Sequence, residues 1–200
     1  TRSFGNDPGL VARLSSHFAL GLQAERVMPI AKHFPGHGDA SGDSHFVAAS
    51  SPLTRDEVMS KDLAPYLALS AALEKPWGIM LAHVSFPKID PSKMPATFSS
   101  VIVQGLLRKE LGDDVLVVTD DIQMAGASTE SDIGNRSVRA IEAGADMVMI
   151  AWSLKVQKQV FSAIRKAIDT GRLKPERIRQ SLRRIELAKS RYTTGEYKLP

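Results

Sequence analysis

Residues 31–47, AKHFPGHGDASGDSHFV, hold His33, His37 and His45 together with Asp39, Asp43 and glycines at 36, 38 and 42. Asp43 and His45 are two apart, and in an extended segment such residues point the same way. A carboxylate so placed accepts a hydrogen bond from one imidazole nitrogen, fixes its tautomer and raises its pKa toward a value useful for proton transfer near neutrality. The same residues also suit a metal. His33, His37, His45 and Asp43 are all ligand types, and an H-x-x-x-H pair at 33 and 37 would share one face of a helix. Phe34-Pro35-Gly36 breaks that helix, which weakens the metal reading without removing it. A second source of carboxylates is VVTDDIQM, where Asp120 and Asp121 end an apolar run. A charge there is costly unless it is paired or catalytic; the bland role, for Asp121 above all, is to cap the next helix. A glycosidase needs one group to attack or stabilise the sugar cation and one to protonate the leaving oxygen. Asp120 with the Asp43-His45 pair meets both needs.

These residues must be positioned by the elements around them. Asp7-Pro8 reads as a helix start, and Val11, Leu14, Phe18 and Leu22 recur at helical spacing over roughly residues 8–25. RVMPIAKHF is a buried strand ending near His33. Thr54 and Glu57 form a capping box for a helix toward Leu73, with Pro65 marking a kink or restart. WGIMLAHV (77–84) is a second strand, SSVIVQGLLRKELG a helix stopped by Gly112, and DVLVVTDD (114–121) a third strand. A helix around 136–143 leads to a fourth strand, ADMVMIA. Two amphipathic helices close the chain, one carrying Val156, Val160, Ile164 and Ile168, the other Ile178, Leu182 and Ile185.

Apolar strands alternating with amphipathic helices predict an α/β fold, with parallel strands covered by helices. Both a (β/α) barrel and a doubly wound sheet fit, and both place chemistry at the carboxyl ends of the strands. Lys32-His33, His83 and Asp120-Asp121 stand at three such ends. A barrel needs eight strands and typically about 250 residues, whereas four strands are clear here. The chain therefore reads either as a smaller open fold or as the later portion of a TIM-type (β/α)8 barrel whose first strands are missing. No repeat, low-complexity segment or linker divides residues 1–200, so a single domain is expected.

Composition is that of an ordinary globular chain, with 43% hydrophobic and 24% charged residues. The net charge of +4 comes largely from RLKPERIRQSLRRIELAKSR, which reads as a solvated helix face. No aromatic residues are interleaved to stack bases, which argues against nucleic acid. Cysteine is absent, removing disulfides, thiolate nucleophiles and Cys-ligated metals. No apolar run approaches the length of a membrane span.

KHFPGHGDASGDSH, followed by VLVVTDDIQMAGA and EAGADMVMI, resembles glycoside hydrolase family 3, specifically its bacterial β-N-acetylhexosaminidases of peptidoglycan recycling. TRSFGNDP at the amino end is similar to the same family's opening motif. The resemblance implies a TIM-type barrel and a retaining mechanism without a cofactor or metal. It implies Asp120 as nucleophile, forming a covalent glycosyl-enzyme, and His45 as acid/base assisted by Asp43. It also implies that Arg2, Lys32 and His33 hold the sugar's hydroxyls. The implied substrate is a glycan or muropeptide ending in N-acetylglucosamine, and the implied compartment is the cytoplasm, with exported relatives known. An acidic sugar-gripping residue of the family would precede Thr1. Three alternatives stay open: a metal-dependent hydrolase built on His33, His37 and His45, a family 3 β-glucosidase, and a non-catalytic sugar-binding barrel.

Overall fold

The computed structural model describes residues 3–42, 48–128 and 132–193. Its helices are α1 (Pro8–Ala24), α2 (Arg55–Glu57), α3 (Ala64–Ala72), α4 (Ser100–Ile102), α5 (Lys109–Leu111), α6 (Ile133–Ala143), α7 (Leu154–Asp169) and α8 (Pro175–Tyr192). The start signals act as their chemistry predicts. Asp7 Oδ1 accepts from the Leu10 amide at 2.6 Å, and the capping box closes with Thr54 N–H donating to Glu57 Oε2 at 2.7 Å. Asp132 caps α6 by accepting from the amides of Gly134 and Asn135, so that helix begins three residues before Arg136.

The inward face of α1 differs from the expected stripe. Ala19 is its buried residue, whereas Leu14 and Phe18 are 43% and 63% exposed. Small residues at 12, 15 and 19 share the half-buried to buried side of α1, which packs mainly against α3. Phe18 instead meets Phe4, with ring centroids 6.3 Å apart.

Between α2 and α3 the helix widens to a π turn over Val58–Asp62, with Leu63 N–H donating to the Val58 carbonyl at 2.8 Å. Pro65 accounts for the break in α-helical bonding. It has no N–H to give the Lys61 carbonyl, and its ring would crowd that carbonyl in a regular helix. The same widening occurs between α4 and α5, over Val103–Arg108.

The strands are β1 (Ile30–Phe34), β2 (Ala49–Ser50), β3 (Gly78–Leu81), β4 (Val84–Ser85), β5 (Leu116–Asp121) and β6 (Met147–Met149). β1, β3, β5 and β6 form one parallel sheet in that order, and β2 pairs with β4 in a second, two-stranded one. In the larger sheet each strand lies beside its predecessor. A doubly wound sheet reverses its direction of strand addition at a switch point. Here there is no reversal, and the strands are laid down like consecutive staves of a barrel. Their carboxyl ends bring His33, His83 and Asp120-Asp121 to one rim.

The central strands β3 and β5 are almost entirely buried, as strands covered on both faces must be. β1 and β6 lie at the two ends of the sheet, and Ile30 and Met147 are each 44% exposed. Among the described residues no helix is long and apolar enough to cross a membrane.

The opposite end of the sheet is tied by charge. Asp146, just before β6, is buried and accepts from Arg108 at 2.9 Å, Arg177 at 3.0 Å, Arg184 at 3.1 Å, Ser181 Oγ at 2.8 Å and the Val117 amide at 3.0 Å. The basic run of α8 is thus only partly the solvated face expected of it. Arg179 and Arg183 are exposed, but Arg177 and Arg184 turn inward, because Ser181, Arg184 and Ala188 form the side that α8 buries.

Candidate functional site

Asp120 stands at the carboxyl end of β5 with one oxygen held and one presented. Its Oδ1 accepts from the Asp121 amide at 2.8 Å. Its Oδ2 lies 3.4 Å from His33 Nε2, which β1 delivers from two strands away. Both side chains are partly open to solvent, so a ligand can reach the pair. Asp121 is spent differently. Buried in the fold, it accepts from the Gln123 amide at 3.0 Å through Oδ1 and from the Ala151 amide at 3.3 Å through Oδ2. That carboxylate fastens the turn after β5 to the segment after β6.

The histidine-rich segment leaves β1 where its register with β3 breaks, between Lys32 and Phe34. The peptide bonds Lys32–His33 and Phe34–Pro35 are cis. The His37 ring stands 5.6 Å from that of His33, centroid to centroid. Asp39 then accepts from Lys61 Nζ at 2.6 Å, which ties the segment to the π turn. Asp62, the next residue of that turn, is half-buried and lies against Gly36. Burial, with the charge of Asp39 second, pushes the Asp62 carboxyl up to about 6. Beneath it the buried Tyr66 packs edge-on against Phe34 with centroids 5.2 Å apart, and burial holds its phenol well above its ordinary range.

His83 is buried behind the site, stacked with Phe98. Nε2 lies 3.0 Å from the Asp121 carbonyl and Nδ1 2.8 Å from Thr97 Oγ1. A carbonyl only accepts, so in the neutral ring Nε2 carries the hydrogen and Nδ1 accepts from the Thr97 hydroxyl. Thr97 Oγ1 is also 3.0 Å from the Ala82 carbonyl. A cationic ring could therefore donate to Thr97 while Thr97 donates to Ala82, so hydrogen bonding alone does not forbid the charge. Burial does, and it pushes the His83 pKa down.

Of the residues singled out by sequence, the structure brings His33 and Asp120 together and leaves Lys32 exposed on the preceding position of β1. Arg2, Asp43 and His45 lie outside the described residues. Among the described residues no three metal-ligating side chains stand close enough to share an ion; the ligand set proposed from sequence includes His45 and Asp43, which lie outside them. Sequence reasoning missed Asp62. A lysine-aspartate pair four and three residues before a helix-breaking proline is the only signal, and it does not identify what the pair would touch.

Residues 1–188 match the glycosyl hydrolase family 3 N terminal domain. A β-hexosaminidase of Idiomarina loihiensis is 38% identical over 149 residues, covering 74% of this chain and 44% of that protein. A family 3 β-N-acetylglucosaminidase structure from Paenibacillus sp. superposes with a TM-score of 0.91 at 38% identity, covering 100% of this chain and 38% of that one. The β-N-acetylglucosaminidase of Thermotoga maritima gives a TM-score of 0.88 at 26% identity over 97% of this chain and 42% of that one. The chain thus spans less than half the length of each of these three relatives. The open four-stranded sheet is part of a TIM-type barrel.

Proposed function

The chain belongs to glycosyl hydrolase family 3, and from that premise we propose that the protein is a retaining exo-β-N-acetylglucosaminidase. Its substrates are cell-wall-derived muropeptides ending in N-acetylglucosamine, and its compartment is the cytoplasm. The observation that carries this reading is the division of labour at the end of β5. Asp121 is consumed by backbone amides, whereas Asp120 keeps an oxygen directed at the open rim beside His33. A nucleophile needs such an oxygen.

In the first step His45, oriented by Asp43, protonates the glycosidic oxygen as Asp120 attacks the anomeric carbon. The aglycone leaves with that proton, and a glycosyl ester remains on Asp120. In the second step the neutral imidazole takes a proton from water, which attacks the same carbon and regenerates the carboxylate. His33, Lys32 and Arg2 hold the sugar's hydroxyls. The names of the similar proteins, β-hexosaminidase and β-N-acetylglucosaminidase, favour N-acetylglucosamine over glucose as the sugar.

Asp120→Ala should abolish turnover of an aryl N-acetylglucosaminide by the full-length enzyme while sugar binding persists. Normal turnover by that variant would sink the assignment. Faster hydrolysis of aryl glucoside than of aryl N-acetylglucosaminide would identify a β-glucosidase, and loss of activity on chelation a metal-dependent hydrolase.

A further inference from the structure

Two consecutive residues of the π turn grip the histidine-rich segment at positions three apart. Lys61 holds Asp39 through the 2.6 Å ion pair. Asp62 fills the space under Gly36, where an added Cβ would fall 2.5 Å from Asp62 Cγ and Oδ2. The backbone of Gly36 does not have a positive φ, so glycine is required there by space and not by conformation. Between the two grips lies His37, whose ring neighbours His33, and His33 faces Asp120. The chain of contacts from the π turn to the reacting carboxylate is therefore short and made of side chains on the rim.

From this geometry we infer that Asp62 is a positioning residue. It sets the backbone at Gly36, and through it the placement of His37 and His33 beside Asp120, while Lys61 and Asp39 fix the far side of the same segment. The inference deepens the glycosidase reading and rests on it for its kinetic consequences. The π turn carries both gripping residues. Pro65 interrupts the α-helical ladder just after Lys61-Asp62, and the widened turn accommodates the break.

The surrounding charges agree with a residue held by position at some electrostatic cost. Asp39 from the segment and Lys61 from the turn are the charged groups that face Asp62, and the phenol of Tyr66 approaches from α3. The Asp62 carboxyl titrates near 6 in the fold, above its value of about 3.9 in an unfolded chain. The grip is thus fully stable below the unfolded value and weakens as pH rises through about 6.

The test compares pH–rate profiles of the protein and its variants on an aryl N-acetylglucosaminide. Asp62→Ala, which empties the space under Gly36, should lower kcat by roughly ten- to a hundredfold with little change in KM, the cost of a small misplacement. Asp62→Asn should recover most of that loss and remove the inflection near pH 6. Gly36→Ala should be harmful alone and cost much less on Asp62→Ala, which removes the 2.5 Å contacts with Cγ and Oδ2 and leaves only the one with Cβ at 3.0 Å. Additive effects of the two changes, or an Asp62→Ala profile superimposable on wild type, would overturn the inference. If Asp62→Ala does not fold, Asp62→Ser takes its place. These kinetics are read on the full-length enzyme, and if that enzyme turns over no N-acetylglucosaminide at all, the glycosidase reading fails by itself. The positioning role is then decided by hydrogen exchange at residues 36–40. Protection there should fall in Asp62→Ala, and unchanged protection would refute the role.

Discussion

Asp120 and Asp121 are adjacent in sequence and end in opposite roles, because side chains alternate along a strand while its end is fastened by whatever backbone amides lie nearby. Two amides take the carboxylate of Asp121, and a single amide leaves Asp120 with an oxygen to spare. His83 shows the complementary case of a titratable group shut away. Its folded pKa lies below the unfolded value of about 6.5, so its contribution to stability is complete above that value and is lost as pH falls through the folded one. Asp62 titrates near 6 with a linkage of opposite sign, so each variant must be compared with wild type at every pH. His83→Asn, which does not titrate, should flatten the fall in thermal midpoint between pH 7 and pH 5. An unchanged acid-side slope would show that His83 is not the group responsible. The sequence made Asp120 legible because it ends an apolar run. It left the fates of Asp121 and His83 open, since both depend on partners 30 or more residues away.

At the scale of elements, helix starts and stops were readable wherever the cap is local. Asp7, Thr54-Glu57 and Gly112 act within three or four residues of themselves. The face that a helix buries was less readable, because it depends on the neighbour. α1 settles on small residues, and α8 turns Arg177 and Arg184 inward, which its apolar pattern did not call for, because the buried Asp146 stands just before β6. Three guanidinium groups share that one buried carboxylate. Asp146→Asn takes away the carboxylate they share and leaves Arg184 only the exposed Asp113 at 3.5 Å, and breaking a buried pair this way costs about 3–5 kcal/mol. For a chain of this size the thermal midpoint should drop by roughly 2–4 °C for each kcal/mol. Arg183→Ala, which removes an exposed pair with Asp114, should hardly move it. Thermal melts of the two variants side by side check the contrast, and equal shifts would show that the buried cluster does not secure this end of the sheet.

At the scale of the molecule, periodicity identified the four parallel strands and the rim, and it left two architectures open because strand order is not written in local pattern. The order β1-β3-β5-β6 decided for the barrel. It also leaves β1 and β6 as unpaired edges in the described chain, each with an exposed apolar residue, Ile30 and Met147. Further apolar surface lies nearby at Phe18 on one side and at Trp152, Leu154 and Phe161 on the other. Parallel sheets in α/β folds are covered on both faces, and a bare edge is a template for pairing. The Idiomarina and Paenibacillus relatives are more than twice as long as the part matched here, and a longer chain would give such edges something to meet. The 200-residue chain expressed alone should consequently self-associate, with sedimentation showing mass that rises with concentration. Ile30→Lys and Met147→Lys place a charge on each edge and should shift it toward monomer. If the unmodified chain stays monomeric across the concentration range and binds no hydrophobic dye, the edges are self-sufficient and this account of them is wrong.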